Sequence, residues 1–201
     1  MTGICAVIFA AGFSARLGHN KLLIKIDGKT VIERSIEPFI NPLVDKVFVI
    51  AGFEKERIEG AITKQRVDII DNTHYREGMS ASLRTSIPLA SHYNGVFFQL
   101  GDRPFLDKFL IDRMIKIFFE QPANIIVPIH KGKKGHPVLI RFNNYLEEIR
   151  KIRGDRGLRE IIDKYHRDVV FIEGDDGILA GIDTQEDLDN LIVRGYKIEK
   201  D

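Results

Sequence analysis

Ile4-Cys5-Ala6-Val7-Ile8-Phe9-Ala10-Ala11-Gly12 is the stretch that decides the fold. Its apolar residues run on without polar alternation, as in a strand buried on both faces, and small residues end it. The same kind of run returns as Val47-Phe48-Val49-Ile50-Ala51, at residues 67–70, as Val96-Phe97-Phe98-Gln99-Leu100, and at residues 125–129. Between these runs lie stretches that read as helices, at residues 31–39, 54–62, about 80–89 and 106–120. Strands alternating with helices predict a mostly parallel sheet covered on both faces, joined by right-handed crossovers. After residue 129 the rhythm changes. Lys131-Gly132-Lys133-Lys134-Gly135 reads as a tight basic turn, and Pro137-Val138-Leu139-Ile140 as an antiparallel return strand. Helical stretches at 145–150 and 158–165 follow, then strands at 169–172 and 178–182. Thr184, with Asp187 three residues on, marks the capped start of a last helix. The expected fold is therefore α/β, a three-layer arrangement with helices on both faces of a mostly parallel sheet and a small antiparallel addition in the C-terminal half.

Length and composition agree with that reading. The chain has 201 residues, which fits a single domain over 1–201. A chain of this size buries about 70% of the surface it exposes when unfolded, enough to fold without a disulfide or structural zinc. Apolar residues make up 44% and charged residues 29%, which excludes a disordered or fibrous chain. A net charge of +1 argues against a general nucleic-acid binder. Cys5 is the only cysteine, so neither an intramolecular disulfide nor a cysteine zinc cluster can form. No apolar run approaches the roughly 20 residues of a membrane span, and the first residues lack the basic start of a secretion signal. The cytoplasm is the expected location, with no membrane partner.

In an open α/β sheet, ligands bind beyond the carboxyl ends of the strands. The first segment so placed is Ala10-Ala11-Gly12-Phe13-Ser14-Ala15-Arg16-Leu17-Gly18-His19-Asn20-Lys21. Its small residues let backbone N–H groups approach a phosphate, and Arg16 and Lys21 add positive charge. It has neither the Gly-Lys-Ser/Thr of a Walker A loop nor the Gly-x-Gly-x-x-Gly of a dinucleotide site. From spacing alone, an ordinary loop with two solvated cations fits equally well. Asp102 follows the strand at 96–100, where a carboxylate can hold Mg²⁺ against a triphosphate, although alone it reads as a turn or cap residue. Asp183 follows the apolar run at 178–182 in the same way. Two acidic strand ends facing a cationic small-residue loop make the layout of a magnesium–nucleotide site. His19, His74, His92, His130 and His166 show no zinc spacing and read as loop or surface residues.

Ala10-Ala11-Gly12, with Arg16-Leu17-Gly18 and Lys21-Leu22-Leu23, resembles the signature of the nucleotidyltransferases that mature the molybdenum cofactor. Matching blocks continue in order: Asn72 with Gly78-Met79 and Ser82-Leu83, then Leu100-Gly101-Asp102-Arg103-Pro104, Gly135-His136-Pro137, Gly154-Asp155-Arg156-Gly157, and Ile182-Asp183-Thr184 with Asp187-Leu188. The Gly78-Met79, Gly135-His136-Pro137 and Asp183-Thr184 blocks together point to the molybdopterin cytidylyltransferase-like branch. The resemblance implies a nucleotide-diphospho-sugar transferase-like fold. It also implies Mg²⁺-dependent transfer of CMP from CTP to the terminal phosphate of molybdopterin, with pyrophosphate released and a recipient molybdoenzyme as a further partner. In that reading Asp102 and Asp183 hold Mg²⁺, Lys21 neutralises the phosphates and Arg16 assists the leaving group. Ala10, Ala11 and Gly12 hold base or phosphate, Asn72, Gly78 and Ser82 the ribose and base, and His136 lines the acceptor pocket. The methyl of Ala11, where the guanylyl branch has glycine, favours CTP over GTP. The competing readings are a guanylyltransferase or sugar-phosphate nucleotidyltransferase of the same fold, and a non-catalytic cofactor-binding maturation protein.

Overall fold

The structure, a computed structural model, describes residues 3–14, 17–62, 66–155 and 157–200. In chain order the elements are β1 (Ile4–Ala10), β2 (Lys25–Ile26), β3 (Lys29–Thr30), α1 (Val31–Ile36), β4 (Lys46–Ala51), α2 (Lys55–Ala61), β5 (Val67–Asp71), α3 (Met79–Ala90), β6 (Gly95–Leu100), α4 (Lys108–Glu120), β7 (Ile125–His130), β8 (Lys133–Lys134) and β9 (Val138–Ile140). They continue with α5 (Leu146–Lys151), α6 (Arg159–Lys164), β10 (Val169–Glu173), α7 (Gln185–Val193) and β11 (Ile198–Glu199).

The main sheet runs β10-β7-β9-β6-β1-β4-β5, with β8 hairpinned onto β7. β1 pairs in parallel with β4 and β6, β4 with β5, and β7 with β10. β9 is the exception, an antiparallel insert hydrogen-bonded to both β6 and β7. The return strand expected near 137–140 is therefore an interior strand of the sheet. Along β1, successive side chains go to opposite faces, as the strand period of two requires. Ile4, Ala6, Ile8 and Ala10 enter one core, which α1, α2, α4 and α7 cover. Cys5 and Val7 enter the other, with Phe9 packed against it, under α3, α5 and α6. Two cores separated by one sheet make the three layers that the apolar runs imply.

Local chemistry sets several boundaries. Thr30 and Glu33 form a capping box that starts α1, and Pro38 turns its continuation into a 3₁₀ turn at Glu37–Phe39, so the predicted helix at 31–39 is split. Thr184 and Asp187 form the expected box at the start of α7.

The predicted strand at 178–182 is not a strand. Asp176–Ile178 is a 3₁₀ turn in which the Asp175 carboxylate accepts from Gly177 N at 3.0 Å. Ile178 and Ile182 are both 0% exposed and plug the core from one side, without a ladder partner. Gly177 is pressed against the Phe105 carbonyl with no room for a side chain. The apolar pattern here comes from plugging, not pairing.

A second sheet, β11-β2-β3, joins the hairpin after the first loop to the last strand and has no counterpart in the sequence reading. Among the described residues, no helix is long and apolar enough to cross a membrane.

Candidate nucleotide site

The strand register brings four carboxyl ends into one row. Phe9 pairs with Leu100, Ala10 with Ala51 and Ala51 with Asp71. Gly101, Ala11, Gly52 and Asn72 follow directly, so the segments expected to bind a ligand lie along one edge of the sheet.

The turn after β6 is fixed on several sides. Gly101 N donates to Phe9 O at 2.9 Å, and Ser35 Oγ donates to Gly101 O at 2.8 Å. A Cβ at Gly101 would sit 2.9 Å from that Phe9 carbonyl, so the turn needs glycine to press against β1. Arg103 Nη1 donates to Leu179 O at 2.6 Å, and Ile182 N donates to Asp102 O at 3.1 Å. These bonds draw the 178–183 segment against the Asp102 turn. Asp183 is then aimed by α7: its N–H donates to Asp187 Oδ2 at 2.8 Å, the same oxygen that closes the capping box. Lys21 opens a 3₁₀ turn capped by Asn20, and Lys21 N donates to Ser14 Oγ at 3.1 Å.

These supports converge on a three-residue cluster. Lys21 Nζ donates to Asp102 Oδ2 at 2.5 Å and to Asp183 Oδ1 at 2.7 Å. Burial pulls the Lys21 pKa down, but the two carboxylates outweigh it and hold the ammonium above its ordinary value. The cluster sets one ammonium between two carboxylates. In addition, Asp102 Oδ1 is buried with no hydrogen-bond partner among the described residues. An unpaired buried carboxylate oxygen beside a second carboxylate is a donor set that a cation fits. Among the described residues, no three His, Cys, Asp or Glu side chains gather to cage a metal. A divalent ion here would take two carboxylates from the protein and its other oxygens from phosphate and water, which is how Mg²⁺ is commonly held. The expectation set Lys21 opposite the acids, whereas the structure sets it between them.

A cavity of about 400 Å³ opens beside this cluster. Of the residues singled out from sequence, Ala10, Ala11, Gly12, Lys21, Gly78, Ser82 and Asp102 line it. Asn72 does not: it is 1% exposed, and its side chain donates to Ser82 Oγ at 3.1 Å and accepts from His74 N at 3.1 Å. It therefore positions Ser82 and the start of the 72–78 segment. Asp183 reaches Lys21 from the far side and lines a separate depression with Arg103 and Arg194. Arg16 lies outside the described residues.

A second cavity, of about 540 Å³, adjoins the first and shares Phe9, Met79, Leu100 and Asp155 with it. His136 lines it, together with Lys133, Lys134 and Arg159. Burial, with the Arg103 charge adding to it, pushes the His136 imidazole down to about 3, so it is neutral near pH 7.

Sequence reasoning did not place Phe13, Tyr75, Arg76 or Asp155 among the site residues, yet all four line the first cavity. Asp155 Oδ1 accepts from Met79 N at 3.0 Å, and Gly154 O accepts from Ser80 N at 2.9 Å, so the Gly154-Asp155 turn docks onto the start of α3. The signal for Asp155 was present in the Gly-Asp-x-Gly block. Phe13, Tyr75 and Arg76 meet only through packing.

Fold and site together define a nucleotidyltransferase-like α/β protein. The family model described as "MobA-like NTP transferase domain" matches residues 6–169, and the chain belongs to that family. It is 28% identical over 141 residues to the molybdenum cofactor cytidylyltransferase of Escherichia coli K12, covering 70% of this chain and 71% of that one. It is 29% identical over 135 residues to a probable molybdenum cofactor guanylyltransferase of Thermococcus sibiricus, covering 65% of this chain and 63% of the relative, less than two thirds of its length. Among solved structures, Rv0371c of Mycobacterium tuberculosis H37Rv superposes with a TM-score of 0.82 at 24% identity, covering 96% of this chain and 98% of that one. A structure of the same protein in complex with manganese gives 0.77 at 20% identity, with coverage of 96% and 98%. At these identities the structural likeness speaks to fold.

Proposed function

We propose that residues 1–201 act as one cytoplasmic nucleotidyltransferase domain that moves CMP from CTP to the terminal phosphate of molybdopterin and releases pyrophosphate. One observation carries the reading: the Lys21–Asp102–Asp183 cluster stands beside a cavity floored by Ala10, Ala11 and Gly12, and that cavity runs into a second one lined by Lys133, Lys134 and Arg159 together with Asp155 and Asp163. Two adjoining cavities suit two substrates, a nucleotide beside the charged cluster and an anionic acceptor next to it. The curated relatives named as molybdenum cofactor cytidylyl- and guanylyltransferases support the same acceptor.

The phosphate monoester of the acceptor has a second pKa near 6 and is mostly dianionic at pH 7, so it can attack the α-phosphorus without a general base. Neutral His136 fits a lining role that does not involve proton removal. Catalysis then rests on positioning and charge. A magnesium ion held by Asp102 and Asp183 would supply neutralisation of the triphosphate charge. Lys21, drawn away from one carboxylate, is within reach of the same phosphates and stays protonated to do so. Backbone N–H groups at Ala11 and Gly12 bind the nucleotide, Ser82 and Gly78 border its ribose and base, and Arg16 assists the leaving pyrophosphate. The manganese complex of the Mycobacterium tuberculosis structure supports a divalent ion in this fold. Base choice rests on the methyl of Ala11, which lines the cavity and favours the smaller pyrimidine. A recipient molybdoenzyme would take up the product.

The test is pyrophosphate release with each of the four NTPs, Mg²⁺ and molybdopterin. CTP should turn over fastest. Turnover fastest with GTP would reassign the protein to guanylyl transfer. Release with neither, despite nucleotide binding, would leave the non-catalytic maturation role.

A further inference from the structure

The first cavity has two chemically different ends. Asp102, which binds the Lys21 ammonium, belongs to the turn after β6, whereas Phe53 follows β4, and Tyr75 and Arg76 follow β5. In the sheet order β6-β1-β4-β5 these ends lie three strand spacings apart, about 14 Å. A nucleotide with its phosphates at the charged cluster therefore carries its base toward the β4–β5 side.

An aromatic corner waits there. The Phe13 ring centroid is 5.3 Å from that of Phe53 and 5.1 Å from that of Tyr75. Gly52 makes the corner possible, because a Cβ there would come within 2.6 Å of Tyr75 Cβ. Phe13 is nonetheless 44% exposed and lines the cavity, so the cluster is only partly covered by the protein. Arg76 Cζ lies 5.8 Å from the ring centroids of both Phe13 and Tyr75. The neighbouring Glu77 is engaged by Arg84 and His74, and among the described residues Arg76 forms no ion pair or hydrogen bond through its guanidinium. An arginine held against two rings, with its donors unspent beside a cavity, is built to read a planar group.

We propose that Phe13, Tyr75 and Arg76 form the base-reading end of the cavity. The exposed ring face of Phe13 stacks on the base, and the Arg76 guanidinium donates two hydrogen bonds to a pair of adjacent acceptors. Guanine presents such a pair in O6 and N7, and cytosine in O2 and N3. Adenine sets its amino donor beside N1 and N7 and leaves N3 without an adjacent acceptor, and uracil alternates acceptor, donor, acceptor. The corner thus admits cytosine and guanine and turns away adenine and uracil, leaving the choice between the first two to the Ala11 side of the cavity. The inference rests on the nucleotidyltransferase reading above.

The experiment is a calorimetric titration of the full chain with CTP, GTP, ATP and UTP in Mg²⁺, without acceptor. The native protein should bind CTP or GTP at least about tenfold more tightly than ATP or UTP, the scale of one bidentate arginine contact. Arg76→Met and Arg76→Lys should both level that ratio to within about threefold, because lysine keeps the charge and loses the fork. Phe13→Ala should weaken all four nucleotides on the order of tenfold and keep the ratio. Arg76 is exposed, and unchanged thermal midpoints would show that the variants are folded. A ratio that survives Arg76→Met overturns the inference. So does a uniform loss that Arg76→Lys restores, which would put Arg76 on the phosphates. A native protein that binds none of the four nucleotides removes the nucleotidyltransferase reading itself, and this inference with it.

Discussion

At Lys21, one ammonium answers two carboxylates, and both of them hold it in its charged form. The contact distances of 2.5 and 2.7 Å make Lys21 the hinge between a loop after β1 and two turns far along the chain. Lys21→Ala should lower kcat on the order of 10²–10³-fold in the pyrophosphate-release assay, the cost of one charge-stabilising donor. A change below about threefold would separate the loop from the chemistry. Because both carboxylates hold the ammonium above its ordinary pKa, the rate should show no alkaline fall from Lys21 below pH 10. His136 gives a residue-scale prediction of opposite sign. Its folded pKa, about 3, lies below the ordinary imidazole value of 6.5, so the unfolded chain binds more protons between those values. That contribution to stability is fully present above pH 6.5 and is lost as pH falls toward 3. His136→Gln should flatten the acid side of the stability profile in urea unfolding at pH 5 and 7.5, while an unchanged profile would mean the imidazole is solvated. At this scale the sequence carried Lys21, Asp102 and Asp183, because a cation after small residues and acids after apolar runs have a recognisable chemistry. It could not carry the fact that Lys21 bridges both acids, since sequence distance says nothing about which side chains touch. Nor could it separate Asn72 from the cavity lining: only packing shows that its amide is already committed to Ser82 and His74.

Among the elements, the site depends on how helix starts and turns are pinned. Asp187 serves both as the N3 residue of α7 and as the acceptor for Asp183 N. Asp187→Ala should cost about 1 kcal/mol of stability from the lost cap, and should also reduce turnover because Asp183 is no longer aimed. Asp187→Asn, which keeps an acceptor, should recover most of both in parallel unfolding and rate measurements. Gly78, at φ +88°, enters α3 in a conformation that L side chains rarely adopt, and a side chain there would strike the Asp155 carboxylate. Gly78→Ala should destabilise the protein by about 1 kcal/mol or more and weaken nucleotide binding, as read by calorimetry. The long buried strands and the α7 cap were legible because their signals are local: an apolar run, a period, a cap box. The segment at 178–182 misled because Ile178 and Ile182 mimic a strand while serving as plugs, held by the Asp175 turn and by Arg103. The small second sheet was illegible for a different reason. Its strands are two residues long, and Ile198 pairs with Ile26 across nearly the whole chain, so no local pattern marks it.

For the whole molecule, the parallel sheet turns separate stretches of chain into one surface: the loop after β1, the turn after β6 and the start of α7 meet although they lie far apart in sequence. The single sheet between two cores makes that meeting rigid, and the antiparallel β9 insert sets the second cavity beside the first. The expected three-layer arrangement followed from the alternation of runs, whereas the interior position of β9 did not, because a three-residue strand gives no sign of having two partners. The central claim is that Asp102 and Asp183 together receive a divalent ion with the nucleotide. The most direct measurement is electron paramagnetic resonance of Mn²⁺ titrated into the protein with CTP present, which reads free ion as it disappears. The account predicts that CTP brings about one tightly bound Mn²⁺ per native chain beyond what CTP alone holds, and that Asp102→Ala and Asp183→Ala each abolish it while the protein stays folded. Undiminished Mn²⁺ binding in a variant lacking both carboxylates would contradict it.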